Sequence, residues 1–88
     1  MKLIIAIVND TDSEKVIHSL TAEDFRVTFI ASTGGFLRRG HSTFLVGVND
    51  ERVEAAIQIV KENTSIPDNP DKKRATFFVL NVSQYIQI

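Results

Sequence analysis

Eighty-eight residues with 43% apolar content and a formal net charge of -1 point to one small globular domain over residues 1–88, since disorder would need fewer apolar residues and a stronger charge imbalance. The chain has no cysteine, which removes disulfide, thiolate-metal and cysteine-nucleophile chemistry and fits a reducing, cytoplasmic location. Its near-balanced charge argues against sequence-independent binding to a nucleic-acid polymer, and no apolar run approaches the roughly 18 residues needed to span a membrane.

Residues 2–8 form a β-branched and aliphatic run of strand length that stops at the turn signal Asn9-Asp10. No small-residue cleavage site follows it, so it reads as a strand rather than a leader. Thr11 with Glu14 three residues later is a capping-box pattern, and Val16, Ile17 and Leu20 then share one side of a helix that should end near Asp24. From Phe25 the period becomes two: Phe25, Val27, Phe29 and Ala31 point one way, and Arg26, Thr28, Ile30 and Ser32 the other. Residues 42–48 form a third strand. Asn49 or Asp50 then caps a second helix carrying Val53, Ala56, Ile57 and Val60, which ends near Asn63.

The connection TSIPDNPDKKR, with two prolines, suits no regular element; ATFFVLNV after it is a fourth strand, and residues 83–88 add a short terminal one. The order βαββαβ predicts an α+β, ferredoxin-like sandwich with both helices on one face of an antiparallel sheet. In the fourth strand Ala75, Phe77 and Val79 lie on one face and Thr76, Phe78, Leu80 and Val82 on the other. Both faces are apolar there, as in LIIAIV, whereas a sheet with one solvated face should alternate apolar and polar residues. The second face is therefore expected to pack on another copy of the chain.

The stretch IASTGGFLRRGHSTFLVGVND places Gly34 and Gly35 directly after the second strand. Glycines there allow positive φ, and successive N–H groups in such a turn can cradle an anion. Arg38 and Arg39 follow, and Arg26 projects from the strand leading in; a guanidinium fork suits phosphate. Phe36 belongs to no core periodicity and could stack on a base. The spacing matches neither the P-loop nor the dinucleotide fingerprint. Read alone, these residues indicate an anion or nucleotide site.

MKLIIAIV, FRVTFIASTGGFLRRGHSTFLVGVND and ERVEAAI closely resemble the bacterial PII-like cyclic-di-AMP receptor family, relatives of the PII nitrogen signalling proteins. The resemblance covers about residues 1–62, and ATFFVLNVSQY resembles the family's final strand. It implies a homotrimer of ferredoxin-like protomers with one cyclic dinucleotide in each cleft between subunits. It further implies a signal-transduction sensor without catalytic residues or cofactor, acting on a protein target that the sequence does not identify. Carried over by position, Arg26 and Thr28 make polar contacts to the ligand, Gly35, Phe36 and Leu37 line the adenine pocket, and Gly47 lets the ligand approach. Asp24 and His41 stand at ligand-lining positions where better-known members carry Asn. With Gly34 and Arg38 they complete the candidate ligand-binding set. Those members also have a much longer connection where this chain has only TSIPDNPDKKR. The alternative is a PII-like trimer that does not bind cyclic-di-AMP and serves as a protein-interaction module or binds another small anion.

Other chemistries fit less well. VNDTDSEK lacks the glycines and arginine of the acylphosphatase loop, and RRGHSTFL lacks the base-stacking aromatics of an RNA-recognition motif. His18 and His41 have no second ligand at metal spacing, so no metal site is expected, and no nucleophilic triad is spaced in the chain.

Overall fold

A computed structural model of the chain describes residues 1–33, 40–69 and 71–88. β1 (Lys2–Asn9) runs directly into α1 (Asp10–Ala22). β2 (Arg26–Ser32) and β3 (His41–Val48) follow, then a 3₁₀ turn (Asp50–Arg52), α2 (Val53–Glu62) and β4 (Ala75–Asn81). The strands form one antiparallel sheet in the order β2-β3-β1-β4. This is the α+β, ferredoxin-like arrangement expected from the element order.

β1 lies between β3 and β4, and its pleat assigns the core. Ile4, Ala6 and Val8 face the helices together with Phe44, Val46 and Val48 of β3. Val16 and Leu20, four residues apart on α1, and Ala56 and Val60, four apart on α2, close over them. Phe25 joins the same buried cluster, with Ile17, Val27, Val53, Ala75 and Phe77 packed around it. Burying each large side chain stabilises the fold by about 1.5–3 kcal/mol.

The helix starts differ from the capping patterns in the sequence. α1 begins at Asp10 with Asn9 as N-cap and no side-chain cap bond, so Thr11 and Glu14 do not form the expected box. The two acidic residues of its first turn are engaged elsewhere. The buried Asp10 carboxylate accepts hydrogen bonds from Ser32 Oγ (2.7 and 2.8 Å) and from Ser42 Oγ. The buried Asp12 carboxylate accepts from the Ser65 hydroxyl at 2.8 Å and the Ser65 N–H at 3.2 Å, tying the connection before β4 to the start of α1. Neither Asn49 nor Asp50 caps α2 through its side chain; the 3₁₀ turn leads into that helix.

α1 ends in a Schellman turn. Phe25 N–H donates to Leu20 O at 3.0 Å and Asp24 N–H to Thr21 O at 3.0 Å, with Asp24 left-handed at φ 66. The buried Phe25 and Leu20 supply the hydrophobic contact that accompanies this motif. Asp24 thus holds a position that glycine usually fills and that Asp and Asn tolerate best among other residues.

Strand parity holds through Phe29 and then changes. Phe29 pairs with Phe44, but Ala31 pairs with Thr43 and Ser32 with Ser42, leaving Ile30 as a bulge. Ala31 therefore joins the helix-free face, while Ser32 turns to the helix side and reaches Asp10. This reverses the faces assigned to Ala31 and Ser32 by strict alternation. At the other end, Val82 N–H donates to Met1 O at 3.1 Å, one step beyond β4, and residues 83–88 form no strand in this chain. β4 is an edge strand with its outer side open, but residues 83–88 do not turn back to pair with it.

The left-handed turn can be tested at Asp24. Asp24→Val should lower the unfolding free energy by about 1–2 kcal/mol, the cost of placing an ordinary L-residue there, whereas Asp24→Gly should hold or raise it. Urea unfolding monitored by circular dichroism measures both. A valine variant as stable as the parent would contradict the assignment.

Candidate ligand-binding site

The helix-free face of the sheet is built in rows set by strand register. Arg26, Gly47, Leu3 and Leu80 form the first, Thr28, Leu45, Ile5 and Phe78 the second, and Ala31, Thr43, Ile7 and Thr76 the third. Across each of the first two rows the chemistry runs from polar on β2 to apolar on β1 and β4. Phe78 and Leu80 are 52% and 46% exposed, which is unusual for large apolar side chains in the middle of a strand. Arg26 and Thr28 are exposed beside this apolar field.

At the β2 corner a shallow cavity of about 190 Å³ is lined in part by Asp24, Arg26, Gly47, Asn49 and Arg52. The Schellman turn creates it by sending Phe25 into the core and the next residue, Arg26, to the opposite face. Gly47 stands directly across from Arg26, and a Cβ there would lie 3.1 Å from the Met1 methyl, so the absence of a side chain lets Met1 pack closely at this corner. The Arg26 guanidinium makes no hydrogen bond or ion pair among the described residues. It is therefore free to offer its fork to an anion.

Arg52, which the sequence did not single out, is fixed nearby. Its guanidinium lies 4.0 Å above the Phe25 ring centroid and donates to Glu23 O at 3.0 Å. The only sequence hint was a cation on the turn before α2, and no periodicity separates it from a solvated arginine. The Met1 amino group sits 3.0 Å from Asp50, and its hydrogen bond holds that carboxyl below the usual aspartate range.

His41 is not at this corner. It opens β3 and pairs with Asn9. Six residues of extended strand separate it from Gly47, roughly 20 Å at about 3.3 Å per residue. Around it the two feet of the glycine loop are pinned. Thr33 N–H donates to His41 O at 2.9 Å, His41 N–H donates to Thr33 Oγ1 at 2.9 Å, and Asp10 N–H donates to Gly40 O at 3.0 Å. With Ser32 and Ser42 also on its carboxylate, Asp10 gathers both ends of the loop. Gly34, Gly35, Phe36, Leu37 and Arg38 lie outside the described residues. The corner therefore brings Asp24, Arg26 and Gly47 together, with Thr28 one row away, while His41 stands at the far end of the sheet.

The sequence profile of the cyclic-di-AMP receptor family matches residues 1–70, which include every one of these positions. The chain belongs to the cyclic-di-AMP receptor family. A crystal structure of a functionally unknown protein from Pediococcus pentosaceus is similar over 99% of this chain and 96% of its own, at 32% identity and a TM-score of 0.81. The family match points to a role in binding and signalling. Among the described residues no cluster of three His, Asp or Glu side chains is arranged to hold a metal, and no helix is long and apolar enough to cross a membrane.

The loop anchor yields a stability test. Asp10→Ala leaves the buried Ser42 hydroxyl without its acceptor and should cost about 1–3 kcal/mol, read as a lower denaturant midpoint. An unchanged midpoint would mean that Asp10 does not hold the loop feet.

Proposed function

We propose that this protein is a PII-like signalling protein that binds cyclic-di-AMP in clefts between the subunits of a homotrimer in the bacterial cytoplasm. Arg26 takes a phosphate, Thr28 adds a polar contact, and Gly47 leaves room for the ligand. Gly35, Phe36 and Leu37 of the glycine loop form the adenine pocket, in keeping with the family resemblance. The observation that carries this reading is a guanidinium without a partner among the described residues, set across from a glycine and beside an exposed apolar field containing Phe78 and Leu80. The field supports the trimer, because a face of that kind gains by burial against another copy. The free fork supports the anionic ligand.

One observation favours the second reading, a PII-like trimer that binds a protein or a different small anion. The Asp24 carboxylate lines the same cavity as Arg26, and a carboxylate repels a phosphate. It can accept a hydrogen bond from an adenine amino group but can offer none when ionised.

Titration calorimetry with cyclic-di-AMP, alongside a mass measurement in solution, tests the proposal. Wild type should bind as a trimer, and Arg26→Ala should weaken binding by about 1.5–3 kcal/mol, the worth of a charge-assisted hydrogen bond. A monomer in solution, or no heat at ligand concentrations up to about a millimolar, corresponding to about -4 kcal/mol, would sink it.

Asp24→Asn separates the two readings. Asparagine keeps the left-handed turn while removing the negative charge, so cyclic-di-AMP affinity should rise several-fold with stability unchanged. Unaltered affinity would place Asp24 away from the phosphates.

A further inference from the structure

A second, larger cleft of about 620 Å³ opens at the loop end of the sheet, far from the Arg26 corner. Lys72, Lys73 and Arg74 form one wall, and Asn9, Thr11 and His41 line the other. No Asp or Glu is among the described residues that line it. In a chain whose acidic residues outnumber its lysines and arginines by 11 to 10, that local excess of positive charge needs an explanation.

The segment carrying the lysines is held in place. Arg74 is anchored: its Nε donates to Thr64 Oγ1 at 3.2 Å, and its Nη2 donates to Thr64 O at 2.9 Å and to Lys61 O. Thr64 is buried, so this clamp fastens the segment to the end of α2. On the other side Asn69 makes an Asx turn. Its side-chain oxygen accepts from Asp71 N–H at 2.9 Å and its carbonyl from Lys72 N–H at 3.0 Å. Between these anchors Lys72 and Lys73 are exposed and make no ion pair among the described residues. Both lysines line the same cleft, so their like charges raise its positive potential, and a bound anion relieves that excess. Lysine binds phosphate as a point charge without demanding bidentate geometry. The opposite wall supplies the neutral hydrogen-bonding groups of Asn9 and Thr11 and an imidazole. The volume lies in the usual range for a small-molecule site.

We propose that this cleft is a phosphate-binding site that takes the phosphate of a small phosphorylated ligand through Lys72 and Lys73. The short connection before β4 creates it, by bringing the two lysines up against His41 and the start of α1. The phosphate could belong to a cyclic dinucleotide or to another phosphorylated metabolite, and the experiment distinguishes these sources.

¹⁵N-labelled protein is titrated with inorganic pyrophosphate and, separately, with cyclic-di-AMP, while the amides of Thr11, His41 and Lys73 are followed. Pyrophosphate should shift them saturably. The double variant Lys72→Ala/Lys73→Ala should bind at least about tenfold more weakly, as expected for losing two charged donors. Lys72→Gln/Lys73→Gln should behave in the same way, and Lys15→Ala, on α1 outside the cleft, should have no effect. Shifts of the same residues at lower cyclic-di-AMP concentrations assign the phosphate to that nucleotide; shifts with pyrophosphate alone assign it to another metabolite. Absence of saturable shifts up to about 10 mM pyrophosphate, which corresponds to binding weaker than about the millimolar range, overturns the site. So does equal binding by the double variants. Failure of cyclic-di-AMP to bind in calorimetry overturns the proposed function and leaves the pyrophosphate result to judge the cleft.

Discussion

β1 is the strand from which every other position in the fold is counted. It pairs on one side with β3 and on the other with β4. Its even residues lie under both helices, and its odd residues form the middle of the helix-free face. Because a strand's side chains alternate strictly, a slip of one residue would exchange core and surface along the whole sheet. The buried Ile4, Ala6 and Val8 hold that register, so the positions of Arg26, Gly47 and the exposed apolar field all depend on it.

Two local departures from regular structure shape the proposed ligand corner and the feet of the glycine loop. The left-handed Asp24 lets the chain leave α1 and deliver Phe25 inward and Arg26 outward within two residues. The bulge at Ile30 reverses parity near the end of β2, so that Ser32 meets Asp10 and fixes one foot of the glycine loop. A regular strand would have kept Ser32 on the same face as Arg26 and left the buried Asp10 without that partner. Bulges and left-handed residues commonly sit where a protein must redirect a side chain, and here one serves the corner and the other the loop.

Much of this was legible in the chain itself. Alternation in LIIAIV and FRVTF, the helical spacing of Val16 with Leu20 and of Ala56 with Val60, and the composition of TSIPDNPDKKR each reflect interactions between near neighbours. The apolar character of both faces of β4 likewise announced a face left without helices. The capping patterns misled, because Thr11 and Glu14 have a suitable spacing but the acidic side chains at the start of α1 are engaged by distant serines. The terminal strand also misled. Propensity in the last residues was sufficient, but they do not turn back to the open edge of β4.

The sequence by itself determined the element order, the two-faced sheet, the candidate arginine at position 26 and the family to which the chain belongs. These rest on periodicity and on short motifs, both carried by residues close together in the chain. Only the tertiary structure decided that Asp10 gathers Ser32 and Ser42 from 22 and 32 residues away. It also decided that Arg52 stacks on Phe25 and that Lys72 and Lys73 face His41 across a cleft. Such contacts follow from strand register and chain closure, and no local pattern encodes which distant segments will meet.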